Sequence, residues 1–363
     1  MLVRLDQFVG MGHVIHALDM AFASEKNILL HGPAGHGKST IVEAYLEEVS
    51  LRDQAFIQQF GEGMDEARIY GGLDLKKLET DGVFIYNTDR SFLPHRVAVF
   101  EELFDAPPIV LMSLKDTLTA GALRNGAQQV EMKTRVIIGI TNRHPDEISD
   151  MGPAAHAITE RFPLQVEVKW EKYEEADYAE MLRAVFGQEE HERGILTDEV
   201  IADLSGLLEN VSAGTAQPVS PRTAVHAAEL LAASAMTRED GTVTDQDLEA
   251  LRYIDGIGPK LDDAISEAEE KRALAQASAN LDRITAEVAE LEQAVNSIAD
   301  ENDCKHMLKR CASLSSELAT LVVQDADTNR KEDVTKLLDA YVSQTQGRLS
   351  ELALKEAMAA SEE

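Results

Sequence analysis

The residues best placed to do chemistry lie in HGPAGHGKST, positions 31 to 40, where Gly32 is followed after four residues by Gly37, Lys38 and Ser39. This is the spacing of a Walker A loop. Glycines there let backbone N–H groups converge on phosphate oxygens, and a helix N-terminus directly after the loop adds a favourable field. Lys38 would reach the β and γ phosphates and Ser39 would ligate Mg²⁺. Gly32, Pro33, Ala34, Gly35, His36, Gly37, Lys38, Ser39 and Thr40 are therefore candidate nucleotide-binding residues. A second candidate follows the apolar run VAVF at 97 to 100, where Glu101 and Glu102 stand in the Walker B position. In such a pair the first carboxylate holds Mg²⁺ and the second polarises the attacking water. The first is ordinarily Asp, and Glu101 is longer by one methylene. Together these residues imply an ATPase that uses ATP and Mg²⁺.

The elements that must position them can be read from the pattern of apolar residues. Up to about residue 170, short runs such as NILL (27 to 30), AFIQQF (55 to 60), VAVF, RVIIGI (135 to 140) and LQVEV (164 to 168) alternate with helical stretches. That alternation predicts an α/β fold, a parallel sheet covered by helices. The strand at 27 to 30 precedes the glycine loop and a helical run from about Ser39 to Val49 follows it, as phosphate cradling requires. From 171 to 257 strand signals give way to amphipathic helices, interrupted by the loop SAGTAQPVSP (212 to 221), and a helical lid domain is expected. The expected division is 1–170, 171–257 and a helical appendage over 258–363.

In the appendage, apolar residues recur at Leu274, Leu281, Ile284, Val288, Leu291, Val295 and Ile298, spacings that argue for long helices in a bundle or coiled coil. A second series includes Met307, Cys311, Leu314, Leu318 and Leu321, and a third includes Val334, Leu337, Leu338, Tyr341, Leu349 and Leu352. Breaks are expected near 300 to 303 and 325 to 329, giving three antiparallel helices.

The 363 residues carry 34 Lys and Arg against 65 Asp and Glu, a formal charge of −31. Phosphate neutralisation needs clustered cations, so this balance argues against a nucleic-acid binder and against adhesion to a membrane surface. No apolar run approaches the roughly 18 residues of a membrane span. Asp6 falls where a secretory signal would need its apolar stretch, and two cysteines in so long a chain make no disulfide framework. A reducing cytoplasm is the expected location.

The segment after the acid pair, LFDAPP (103 to 108), resembles the Asp-Glu-Ile-Asn-Arg-Ala-Pro-Pro signature of MoxR-type AAA+ ATPases, relatives of the metal-chelatase and RuBisCO-activase motors. Ala106, Pro107 and Pro108 match, whereas Phe104 and Asp105 replace Asn and Arg. The resemblance spans about residues 5 to 252 and implies an AAA+ P-loop αβα sandwich followed by an all-α lid. Within it, Val9 and Gly10 in FVGMGHVIHAL resemble the segment packing near adenine, and Thr141 with Asn142 resembles sensor 1, where Asn142 holds the attacking water. In AITERFPL (157 to 164) the resemblance makes Arg161 an arginine finger acting on a neighbouring subunit, the alternative being a surface salt bridge to Glu160. Arg222, after Pro221 at a helix start, resembles sensor 2. The insert between Phe60 and His95, whose aromatics are expected to be exposed, and the projection GALRNGAQQVEM (121 to 132) correspond to family segments lining the ring or its pore.

The resemblance further implies a homo-hexameric ring that remodels or activates a partner bearing a von Willebrand factor A domain, or a metal-cofactor enzyme. Two other readings stay open. One is a nucleotide-regulated assembly scaffold with slow or no hydrolysis. The other is a DNA-associated motor, suggested only by Gly256-Ile257-Gly258 in YIDGIGPKLDDAI, where Lys260 is the sole nearby cation among Asp255, Asp262 and Asp263. Cys304, His306 and Cys311 are read as helix packing rather than metal ligands.

Overall fold

The computed structural model describes residues 4–126, 128–171, 173–186, 196–213, 215, 217–238 and 241–361. Helix α1 (Gly12–Ser24) precedes strand β1 (Ile28–His31), and α2 (Lys38–Glu48) follows, so the glycine-rich loop joins a strand to a helix. Strand β2 (Ala55–Gln59) leads to an excursion holding α3 (Ala67–Tyr70) and α4 (Leu75–Asp81), and β3 (Val97–Glu101) and α5 (Pro108–Ala120) come next. The hairpin β4 (Ala122–Asn125) and β5 (Gln128–Glu131) is followed by β6 (Val136–Thr141), α6 (Pro145–Asp150), α7 (Pro153–Thr159) and β7 (Leu164–Glu167).

Five strands form one parallel sheet in the order β2-β3-β6-β1-β7. Every residue of β1 and β6 is buried, which is why these strands read as unbroken apolar runs rather than alternating ones. Gly139 lets the sheet pack closely, since a Cβ there would meet Phe162, Leu29 and Leu103 at 3.0 to 3.2 Å. The C-terminal ends of β1, β3 and β6 carry His31, Glu101 and Thr141, so the glycine loop, the acid pair and Asn142 leave the sheet at one edge. Ligands of open parallel sheets bind at that edge.

Helices α8 (Glu175–Phe186), α9 (Asp198–Ser212) and α10 (Pro221–Ala235) make up the helical region after the sheet. Tyr178 on α8 ties them together, its hydroxyl lying 2.9 Å from Ser212 Oγ and donating to the Val219 carbonyl at 2.8 Å. A 3₁₀ segment, Asp245–Tyr253, is fixed by Asp247, 1 % exposed, which accepts two hydrogen bonds from Arg238 and one from Ser234. Arg238 holds that carboxyl well below the usual range. The Gly256 turn is a packing device: Ile257 is buried, Gly258 touches the Arg252 carbonyl too closely for any Cβ, and Lys260 donates to the Val211 carbonyl at 3.2 Å.

The chain forms two compact units, one up to Leu261 and one from Asp262 onward. The second is built on α11 (Leu261–Asn296), α12 (Glu301–Thr320) and α13 (Asp325–Ser361). Its core takes Leu281, Ile284, Val288 and Leu291 from α11, Cys304, Cys311 and Leu314 from α12, and Val334 and Leu338 from α13. Arg283 of α11 pairs with Glu317 of α12, each about four turns from the short connection between them, so these two helices run antiparallel, and Arg330 of α13 pairs with Asp282 of α11. The second break falls at 321–324, earlier than expected, because Asp325 and Asp327 sit inside the first turn of α13, where acidic residues complement the helix dipole. Among the described residues no helix is long and apolar enough to cross a membrane.

The insert departs from expectation. Phe60, Tyr70 and Phe92 are buried in the main core and Tyr86 packs against it, while Phe84, 64 % exposed, is the aromatic that faces solvent. Tyr70 is fixed by a 2.8 Å hydrogen bond between its hydroxyl and that of Thr117 on α5. In the hairpin, Asn125 pairs with Gln128 and ends the ladder, and Gly126 adopts φ 59°; residue 127 lies outside the described residues.

Candidate functional site

The glycine loop owes its path to the chain leaving β7. The Val168 N–H donates to the His31 carbonyl at 2.7 Å, and a Cβ on Gly32 would lie 2.4 Å from the Val168 carbonyl oxygen. No side chain fits. Gly37, at φ 82°, caps α2 in the left-handed region that glycine adopts without strain. Lys38, Ser39 and Thr40 then form the first turn of α2, so its free N–H groups face the loop's concavity.

Lys38 is 6 % exposed. Its ammonium donates to the carbonyls of Gly32 and Pro33, each at 2.8 Å, and to Asn142 Oδ1 at 2.6 Å. The Asn142 amide nitrogen donates in turn to Glu102 Oε1 at 2.6 Å. Three residues that follow three different strands thus form one hydrogen-bonded series. Burial pulls the Lys38 pKa down to about 8, with Glu102 opposing and Arg222 assisting. Glu102 sits just past β3 at φ 50°, ψ 41°, a left-handed conformation that costs a non-glycine residue about 1 to 2 kcal/mol. That turn brings its carboxylate to Asn142 rather than continuing the strand.

Ser39, in the first turn of α2, and Glu101, at the end of β3, are both half-buried. A hydroxyl and a carboxylate make an all-oxygen donor set, the kind Mg²⁺ takes. The two departures from the signature find structural roles. Phe104, 1 % exposed, belongs to the core, and Asp105 accepts from Arg143 Nη2 at 2.8 Å, tying the loop after Asn142 to the loop after Glu102.

The helical region closes the loop from the other side. The Arg222 N–H donates to the Gly35 carbonyl at 3.2 Å, and Ser220, which caps α10, lies so close that a Cβ on Gly35 would approach its Oγ to 2.7 Å. Beside this contact lies a cleft of about 250 Å³ whose lining includes Phe8, Val9, His36, Trp170, Val225 and Arg222. Its wall is mostly apolar and Thr40 is among its lining residues, so it can hold a flat heterocycle with its phosphates on the loop. Gly10, exposed at φ 77°, shapes the turn before α1 and does not line the cleft.

Phe8, Trp170 and His226 also line the cleft and are not among the candidates from sequence. Nothing in local spacing marks them. They are gathered by tertiary packing, although a lone tryptophan just after a strand ending beside the glycine loop was a usable signal. Two histidines join the site with lowered pKa: His31, by burial with Glu167 opposing and His144 assisting, and His36, by burial and then by Lys38 and Lys169.

Arg161 is not brought to this site within the chain. Its guanidinium donates to Thr119 Oγ1 at 3.1 Å and to Glu160 at 3.3 Å. Its carbonyl accepts from Asn27 at 3.0 Å, at the opposite end of β1 from the glycine loop. Four residues of strand, about 13 Å, separate the two ends.

The strand–loop–helix, the acids at the neighbouring strand end and the lid contact define a P-loop AAA+ ATPase fold, α/β with a helical lid. The family described as the MoxR domain in the MoxR-vWA-beta-propeller ternary systems matches residues 3–207, more than half of the chain. The chain belongs to this MoxR family. Among solved structures it is similar to NtrX from Brucella abortus, at 16 % identity and a TM-score of 0.48 over 76 % of this chain and 62 % of that one. It is also similar to S. cerevisiae Hsp104 in complex with casein, at 14 % identity and a TM-score of 0.46 over 64 % and 46 % of the two chains. The chain therefore spans less than two thirds of either protein's length.

Proposed function

We propose that the chain binds ATP with Mg²⁺ and hydrolyses it, and that it works as a cytoplasmic ring of identical subunits to remodel or activate a partner protein. The observation that carries this reading is the series Lys38–Asn142–Glu102, with both gaps at 2.6 Å, beside a cleft closed by Arg222. The backbone from Gly32 to Thr40 wraps the phosphates, the Lys38 side chain neutralises the β and γ groups, and Val9 and Gly10 border and shape the base site. Ser39 and Glu101 would hold Mg²⁺, which when bound offsets the charge of the phosphate chain. Glu102 orients and deprotonates the attacking water while Asn142 fixes its position. Arg222 and, from a neighbouring subunit, Arg161 stabilise the charge that develops on the transferred phosphoryl group.

The position of Arg161 at the far end of β1 favours action in trans, because it has no route to its own loop. A neighbouring copy supplies that route. Membership of a family named for systems with von Willebrand factor A and β-propeller proteins supports a partner carrying such a domain.

Calorimetric titration of ATP with Mg²⁺ into the native chain and the Lys38→Ala variant, combined with phosphate-release measurements, tests the reading. Saturable binding lost in the variant supports it; equal binding by both excludes it. Light scattering of the native chain with ATP tests the ring, and a particle of one chain's mass at working concentration contradicts it.

A further inference from the structure

The loop position two residues before Lys38 holds a histidine, and the fold decides which of its ring nitrogens carries the proton. His36 is 8 % exposed. The backbone N–H of Trp170 approaches its Nδ1 at 2.8 Å. A backbone N–H can only donate, so Nδ1 must present a lone pair, and a neutral imidazole with a lone pair there has its proton on Nε2. Burial and the neighbouring cations Lys38 and Lys169 keep the ring neutral at physiological pH, in agreement with that hydrogen bond.

The ring also borders the apolar cleft, with Nδ1 taken by Trp170 and Nε2 as the nitrogen left over. Few other lining groups compete as fixed donors. The indole nitrogen of Trp170 is sealed from solvent, and His226 is exposed and paired with Glu229 at 3.3 Å. Arg222, whose backbone N–H bonds the Gly35 carbonyl, also lines the cleft. A buried donor with one fixed proton, at the junction of phosphate loop and apolar wall, complements a hydrogen-bond acceptor on a nucleoside.

We propose that His36, oriented by the Trp170 N–H, donates its Nε2 proton to an acceptor on the nucleoside of the bound nucleotide and so sets the preference for a nucleotide over bare polyphosphate. This rests on the ATP-binding reading above. It adds a residue whose contribution is to the nucleoside and not to the phosphates.

The test is calorimetric binding of ATP and, separately, of inorganic tripolyphosphate, both with Mg²⁺, to the full chain and to His36→Asn, His36→Gln and Lys38→Ala. In His36→Asn the amide oxygen replaces Nδ1 and keeps the Trp170 N–H bonded while the Nε2 donor is lost. In His36→Gln the amide nitrogen replaces Nε2. Expected are an ATP affinity about 10-fold weaker for His36→Asn with tripolyphosphate binding unchanged, and recovery of most of the loss in His36→Gln. Native ATP affinity in His36→Asn overturns the proposal, as does an equal fall for ATP and tripolyphosphate, which would show damage to the loop. Lys38→Ala separates the levels: if it binds ATP as the native chain does, the phosphate-loop reading fails with the inference, whereas ATP binding that depends on Lys38 but not on His36 overturns the inference alone.

Discussion

Asn142 stands between Lys38 and Glu102, its amide oxygen accepting from the ammonium at 2.6 Å and its amide nitrogen donating to the carboxylate at 2.6 Å. One side chain therefore touches both the lysine of the glycine loop and the carboxylate that follows β3, and the two faces of the amide cannot be exchanged without breaking both bonds. Asn142→Asp keeps the shape and the acceptor but places a second carboxylate against Glu102. The expected result is folded protein that still binds ATP but turns it over about 100-fold more slowly, read by calorimetry and phosphate release. Native turnover would mean that the contact has no part in catalysis.

The Lys38 pKa of about 8 gives a second expectation. Below that value the ammonium is charged and available to phosphate. Above it the free protein loses the proton, while bound phosphates restore it, so ATP binding should weaken as pH rises through 8 and should take up protons there. Titrations at pH 7 and pH 9 in buffers of differing ionisation enthalpy measure that uptake. Affinity and proton uptake that do not change between these values contradict a buried lysine at the phosphate site.

His31 gives a third expectation, of opposite pH sense for stability. It is 7 % exposed with Nδ1 unpartnered, and its pKa is lowered chiefly by burial. A base with a depressed folded-state pKa binds fewer protons in the native than in the unfolded chain. Stability is thus complete above about pH 6.5 and is lost as pH falls from there through the lowered value. Urea midpoints at pH 7.5 and 5.5 should show this loss, and His31→Leu should reduce it. An unchanged pH dependence in the variant would assign the loss to other groups.

How much could be read beforehand depended on whether a signal was local. The glycine loop, both glutamates and Asn142 were legible because a strand-end loop compresses the chemistry into a few consecutive residues, and the buried strands showed as uninterrupted aliphatic runs. The cleft was not legible, since Phe8, His36, Trp170 and Val225 come from four distant segments. Local composition also misread the insert, where Tyr70 and Phe92 looked like surface aromatics and instead anchor it to α5 and the core. Asp105 was seen only as a departure, because its partner Arg143 lies 38 residues away in sequence.

The end of the first unit yields a fourth expectation. Leu261 is fully buried and Lys260 holds the Val211 carbonyl, so a cut after Gly258 removes packing from the lid. A chain ending at Ser266 should fold and bind ATP, whereas one ending at Gly258 should be less stable by about 1.5 to 3 kcal/mol, the value of one buried leucine. Denaturant titration of the two fragments decides it. Equal stabilities would show that these residues add nothing to the first unit.

The most direct test of the central claim is steady-state phosphate release from ATP and Mg²⁺ by the native chain and by Glu102→Gln, with ATP affinity measured on both. The account predicts turnover by the native chain and its loss in Glu102→Gln, with ATP binding kept in the variant. Native protein that binds ATP tightly but releases no phosphate above background would contradict it, leaving a nucleotide-regulated scaffold.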